Sequence, residues 1–136
     1  MARDRQAATR AEAEELHRAS LVIDALSGNV VAPEPPMREG VPYAERLRQA
    51  VVTVANMTIA AHTDGFESAL TKIYQYVNLF RAAGHLVMQV KTVEDIETAR
   101  KEGKTGLIFG FQTPTPIGSH FYRWTIFHEL GLRICQ

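Results

Sequence analysis

Five polar side chains stand where apolar segments of this sequence end or turn, and from these positions the chain could do chemistry. Asp24 is the only carboxylate inside the segment LVIDAL, where it could orient a ligand or act on a substrate from the end of a strand. His62 and Asp64, in AHTDG, have a His-x-Asp spacing that points both side chains the same way from extended backbone, as a ligand pair requires. Lys91 follows Gln89 at the end of HLVMQV and could hold a carboxylate-bearing substrate. Gln112 closes TGLIFGFQ with an amide, at a place where a hydrolase would usually put a carboxylate.

Each position has a plainer reading beside the chemical one. A strand aspartate such as Asp24 can be buried and hydrogen-bonded to neighbouring backbone, because a buried acid demands partners. Asp64 followed by Gly65 can cap the helix that comes next, and the shortness of the His-x-Asp motif favours that use. Lys91 can reach into solvent from its aliphatic stem. His85, His120 and His128 fall at a strand start or on helices and read as surface or capping residues, His128 near a helix C-terminus. Cys135, among apolar neighbours and with no paired base, reads as a small buried hydrophobe.

The elements that must position these residues follow from periodicity. Thr9 and Glu12 have capping-box spacing, which predicts a short exposed helix over residues 10–18. Residues 21–26 form the first strand, and the proline-rich APEPPMREG is a loop. Pro42 suits the first position of a helix over residues 42–51. A second strand covers residues 52–60. The clearest helix follows, with Phe66, Ala69, Leu70, Ile73, Tyr76, Val77 and Phe80 at steps of three and four, and it stops at Gly84. HLVMQV is the third strand. Thr92 and Asp95 cap a helix with Val93, Ile96 and Ala99 inward and Gly103 at its end. The fourth strand runs through Phe111. Ser119 opens a helix carrying a packing stripe of Phe121, Trp124 and Phe127, and LRICQ begins a fifth strand.

Strand and helix alternate throughout, which implies right-handed crossovers and an α/β fold with a parallel sheet. The strands are almost continuously apolar, as when both faces are covered. At 136 residues the chain makes one domain, residues 1–136, with 1–19 as a helical extension and 20–136 carrying the five strands. ALSGNVVAPEPP after the first strand has no Gly-rich phosphate fingerprint, so a nucleotide fold is disfavoured.

Fifteen basic residues balance fifteen acidic ones without a basic stripe, which leaves nucleic-acid binding no electrostatic support. The charged N-terminus is not a secretory signal, and no run is long enough to span a membrane. A soluble, cytoplasmic protein is the expectation. A chain that stops inside an apolar strand leaves an unpaired sheet edge. That suggests either a truncated barrel or a half-barrel that completes itself as a homo-oligomer through its open strand edges.

Three segments carry a resemblance. SLVIDALSGNV, then GKTGLIFGFQTPTPI about eighty residues later, then FHELGLRICQ resemble the renal (membrane) dipeptidase family. Those proteins are zinc dipeptidases on a (β/α)8 barrel, related to the amidohydrolases, and the resemblance covers roughly the first half of such a TIM barrel. It is closest to a bacterial dipeptidase-like branch whose first strand reads DAL and whose fourth reads GFQ.

In the family the first strand ends in a zinc-binding His-x-Asp pair and the fourth in a glutamate that bridges two metals. Carried over, these positions fall on Leu26, Gly28 and Gln112. Leucine and glycine offer no donor atom, and glutamine lacks the charge that holds two dications together. Lys91 would match a modified bridging lysine of some amidohydrolases. The resemblance therefore implies a dipeptidase-like metallohydrolase, in which zinc-activated water attacks the amide of a dipeptide-like small molecule. It also implies that this chain does not bind the zinc and is inactive or incomplete. The alternative is a non-catalytic half-barrel that binds or self-assembles.

Overall fold

The structure, a computed structural model, describes residues 9–28 and 42–136. The proline-rich loop expected at 32–40 lies outside those residues. In chain order the elements are α1 (Arg10–Ala19), β1 (Ile23–Ser27), α2 (Tyr43–Gln49), β2 (Val54–Ala60), α3 (Phe66–Ala83), β3 (Val87–Gln89), α4 (Val93–Glu102), β4 (Thr105–Phe111), α5 (Tyr122–Glu129) and β5 (Leu132–Cys135). All strand pairings are parallel, so the α/β alternation read from the sequence holds.

The order of strands in the sheet departs from their order in the chain. β2 pairs directly with β4, from Val54 opposite Gly106 to Ala60 opposite Phe111. β3 pairs only with the first three residues of β4, and β5 takes the last three. The path is therefore β1–β2–β4–β3, with β5 off it and paired to the far half of β4. Seven residues of β4 can serve both neighbours because β3 contributes only three before the chain turns away to the Thr92 cap.

Pairing in register places one set of side chains under the helices. Ala55 is opposite Leu107 and Met57 opposite Phe109, and α3 covers them with Tyr76 and Phe80. The Tyr76 ring lies 5.1 Å from that of Phe109, and Phe111 meets Phe127 of α5 at 4.8 Å. Each such ring, fully removed from water, stabilises the fold by roughly 1.5–3 kcal/mol. The intervening residues, Asn56 opposite Ile108 and Thr58 opposite Gly110, face the other way, as the two-residue period of a strand requires.

Helix ends follow the sequence signals, with informative exceptions. Thr9 with Glu12 and Thr92 with Asp95 form complete capping boxes, and Gly103 ends α4 in the left-handed conformation at φ 66°. α2 begins at Tyr43, with Pro42 as its N-cap, and stops at Gln49 rather than continuing to residue 51. It stops because Val51 turns left-handed at φ 56°, its N–H bonding to Arg48 O and that of Val52 to Leu47 O. Those two bonds make a Schellman motif, with valine where glycine is usual.

Val93, expected inward, is 68% exposed; in the first turn of α4 it lies outside the packing that buries Ala99. Ser119 does not open a helix. Turns closed by Ile117 N–H to Pro114 O and His120 N–H to Ile117 O delay α5 to Tyr122. The aromatic stripe accordingly splits, with Phe127 buried, Trp124 half-buried and Phe121 82% exposed. Cys135 is exposed rather than buried, since β5 is an edge strand among the described residues. Partial burial nonetheless pushes its thiol pKa up. No described helix is long and apolar enough to cross a membrane.

Candidate functional site

Because the strands are parallel, their C-terminal ends gather at one rim, which is where barrel enzymes keep their chemistry. β1 brings Leu26, Ser27 and Gly28 to this rim, β2 brings Ala60 and His62, and β4 brings Gln112. Gln112 is the first residue past β4 and is exposed. Its backbone N–H donates to Ala60 O at 2.8 Å, which fixes the residue against β2. Its side-chain Nε2 donates to Thr58 Oγ1 at 3.4 Å, and Thr58 Oγ1 in turn reaches Ser27 O at 3.5 Å.

One step lower on the same face, Asn56 Nδ2 donates to Ala25 O at 2.9 Å. Asn56 Oδ1 is buried and accepts no hydrogen bond. It lies over Gly110, where a Cβ would collide with it. Asn56, Thr58 and Gln112 thus form a neutral polar track on the side of the sheet opposite Leu107 and Phe109, across β1, β2 and β4. The first two were not among the sequence candidates. The available signal was polar residues at alternate positions, 56 and 58, inside the apolar segment VANMTIA.

The other candidates lie in separate networks. Asp24 is half-buried, and its Oδ1 accepts the N–H of Leu26 at 3.1 Å. It is in register with Ala55 and through it with Leu107, which places it on the opposite side of the sheet from Thr58. His62 is exposed. Asp64 is tied to the loop and to α3: it accepts from Ala61 N–H at 2.8 Å, from Ser68 Oγ at 2.7 Å and from Lys72 Nζ at 2.6 Å. Desolvation alone would raise its pKa, but these three donors outweigh it and hold the carboxyl at about 2. Gly65, not Asp64, is the N-cap of α3.

Gln89 and Lys91 serve the end of α5. Gln89 Nε2 donates to Leu130 O at 2.9 Å, and Lys91 Nζ to Glu129 O at 3.2 Å. A cation there complements the helix dipole. The Lys91 backbone N–H also donates to Asp95 at 2.8 Å, the foremost reason that the Asp95 carboxyl pKa is lowered. Arg133 closes the network through Lys91 O and His128 O, both at 2.8 Å.

The three positions at which the resemblance puts metal ligands do not suit a dinuclear zinc centre. Leu26 is 55% exposed, a Cβ on Gly28 would meet no atom within 4 Å, and Gln112 supplies only neutral donors and acceptors. Among the described residues no three His, Cys, Asp or Glu side chains come together in a metal-sized group.

No family model matches the chain, and no curated protein matches it significantly. Solved structures do match. An amidohydrolase from Pseudomonas aeruginosa is 30% identical with a TM-score of 0.76, the match covering 90% of this chain and 35% of that one. The probable dipeptidase PvdM from Pseudomonas aeruginosa matches at 17% identity and a TM-score of 0.72, over 90% of this chain and 36% of its own. A metallopeptidase from Rhodobacter sphaeroides, liganded with a phosphinate mimic of the dipeptide L-Ala-D-Ala, matches at 14% identity and a TM-score of 0.67, over 84% and 44%. The matches thus cover 35–44% of the length of these proteins, consistent with an N-terminal half. Its parallel strands and alternating helices are those of a partial (β/α)8 barrel of the amidohydrolase and dipeptidase type, and the resemblance read from three sequence segments is borne out.

Proposed function

We propose that this chain supplies the strand-end rim of a dipeptidase-like hydrolase barrel, and that the rim takes a dipeptide-like amide through neutral hydrogen bonds instead of a dinuclear zinc centre. The observation that carries this reading is Gln112, exposed just past β4, with Thr58 holding one of its donors. A primary amide has two N–H donors and a carbonyl acceptor. With one donor engaged, Gln112 keeps one donor and its acceptor for a peptide group, which needs that pair. Leu26 adds an apolar wall where the family's first-strand histidine falls.

A second reading is a non-catalytic half-barrel that assembles through its edges. It is favoured by Ile23 and Leu26, 54% and 55% exposed on β1. Calorimetric titration of the chain with L-Ala-D-Ala, alongside a hydrolysis assay with and without added zinc, separates the two. The proposal expects weak binding that Gln112→Ala abolishes, and no zinc-dependent turnover. Zinc-dependent turnover would overturn it. Absence of binding together with a dimer in analytical ultracentrifugation would favour the second reading.

A further inference from the structure

At the opposite end of the sheet from the rim, a cavity of about 230 Å³ lies where α1, α2 and α4 end. That is below the roughly 300–1,000 Å³ of pockets for drug-sized ligands. Its lining includes Arg18, Arg48, Arg100 and Lys104 and no carboxylate. Arg48 pairs with Glu45 at 2.6 Å and Lys104 with Glu102 at 2.8 Å, both outside the lining. The Arg18 side chain has no hydrogen bond or ion pair with any described residue.

The simplest account of four cations beside three helix C-termini is that they answer the helix dipoles. The hydrogen bonds show that most of this work is done otherwise. At the end of α2, Leu47 O and Arg48 O are taken by the N–H groups of Val52 and Val51. At the end of α4, Ala99 O and Arg100 O are taken by those of Lys104 and Gly103. Ala50 O accepts from the His17 ring at 2.8 Å, and Ala19 O from Arg100 at 2.5 Å. These six carbonyls are satisfied, and four cationic side chains line the cavity beside them. Val51, held left-handed at φ 56° in its wall, is a strained β-branched residue of the kind that collects at ligand sites.

We propose that this cavity binds a phosphate-class oxyanion, inorganic phosphate or a phosphomonoester, through the guanidinium fork of Arg18, the guanidinium donors that Glu45 leaves on Arg48 and Ala19 O leaves on Arg100, and the ammonium of Lys104. Such forks match tetrahedral oxyanions geometrically. Two of the four charges are offset by Glu45 and Glu102, and each helix end contributes roughly half a negative charge. Long-range attraction is therefore small, and selectivity comes from donor geometry. The site prefers phosphate to chloride and does not act as a general anion trap.

The test is isothermal titration of the chain with inorganic phosphate and with glycerol phosphate, against chloride at matched ionic strength. One saturable site per chain is expected, weakened at least about tenfold in Arg18→Gln and in Lys104→Gln, since a hydrogen bond to a charged partner carries at least that factor. Arg18→Gln removes no bond among the described residues, so it leaves the fold intact. Binding of the ester alone would support the site and assign it to organic phosphates. Absence of saturable binding above chloride, or both variants binding like the wild type, would overturn the proposal.

Discussion

Replacing Asp64 by asparagine tests how the loop after β2 is locked to α3. The Asp64 carboxyl is depressed from 3.8 to about 2. Its side chain is 13% exposed and that of Lys72 is 28% exposed, so solvent screens the pair only partly. At about 1.4 kcal/mol per pKa unit, a shift of this size stabilises the folded state by roughly 2 kcal/mol. Since the folded-state pKa lies below the unfolded one, that stability is complete above about 3.8 and is lost as pH falls toward about 2. Asparagine keeps one acceptor but no charge for Lys72. Urea unfolding followed by the fluorescence of Trp124, the single tryptophan, should show Asp64→Asn about 2 kcal/mol less stable than the wild type at neutral pH. The gap should narrow to a fraction of that near the folded pKa. Equal stability at neutral pH, or a gap that does not narrow in acid, would refute the assignment.

Three further outcomes are expected. Phe109→Ala, at a fully buried ring against Tyr76 and Phe80, should cost about 3–5 kcal/mol in the same assay. Gly110→Ala should cost about 1–3 kcal/mol because its methyl meets Asn56 Oδ1, and much less in an Asn56→Ala background, so a double-mutant cycle that adds simply would contradict the packing. Val51→Gly should raise stability by up to about 1 kcal/mol by relieving the left-handed strain, less the added freedom of the unfolded chain. A clear loss of stability there would mean that the valine side chain matters more than its backbone.

Much of this architecture was legible locally. Both capping boxes, the spacing along α3 and the glycine after α4 are short-range signals, and each matches an observed boundary. The position of β3 was not legible, because nothing in VMQ says whether it lies between β2 and β4 or beside the first half of β4. Gln112 was recognisable as a strand-end residue. Its partner Thr58 lies 54 positions earlier, and a pairing at that separation leaves no local trace. The same holds for Lys91, whose partner carbonyl is 38 residues later on α5. Cys135 misled because an apolar sequence context does not reveal an exposed edge strand.

On the proposed function, Leu26, Gly28 and Gln112 put neutral groups at the strand-end rim where the resembled family has charged metal ligands. The most direct measurement is the zinc content of the chain after loading with excess zinc and exhaustive dialysis, by elemental mass spectrometry. No stoichiometric zinc is expected in the wild-type chain. One or two zinc ions retained per chain, and lost on Gln112→Ala, would contradict it.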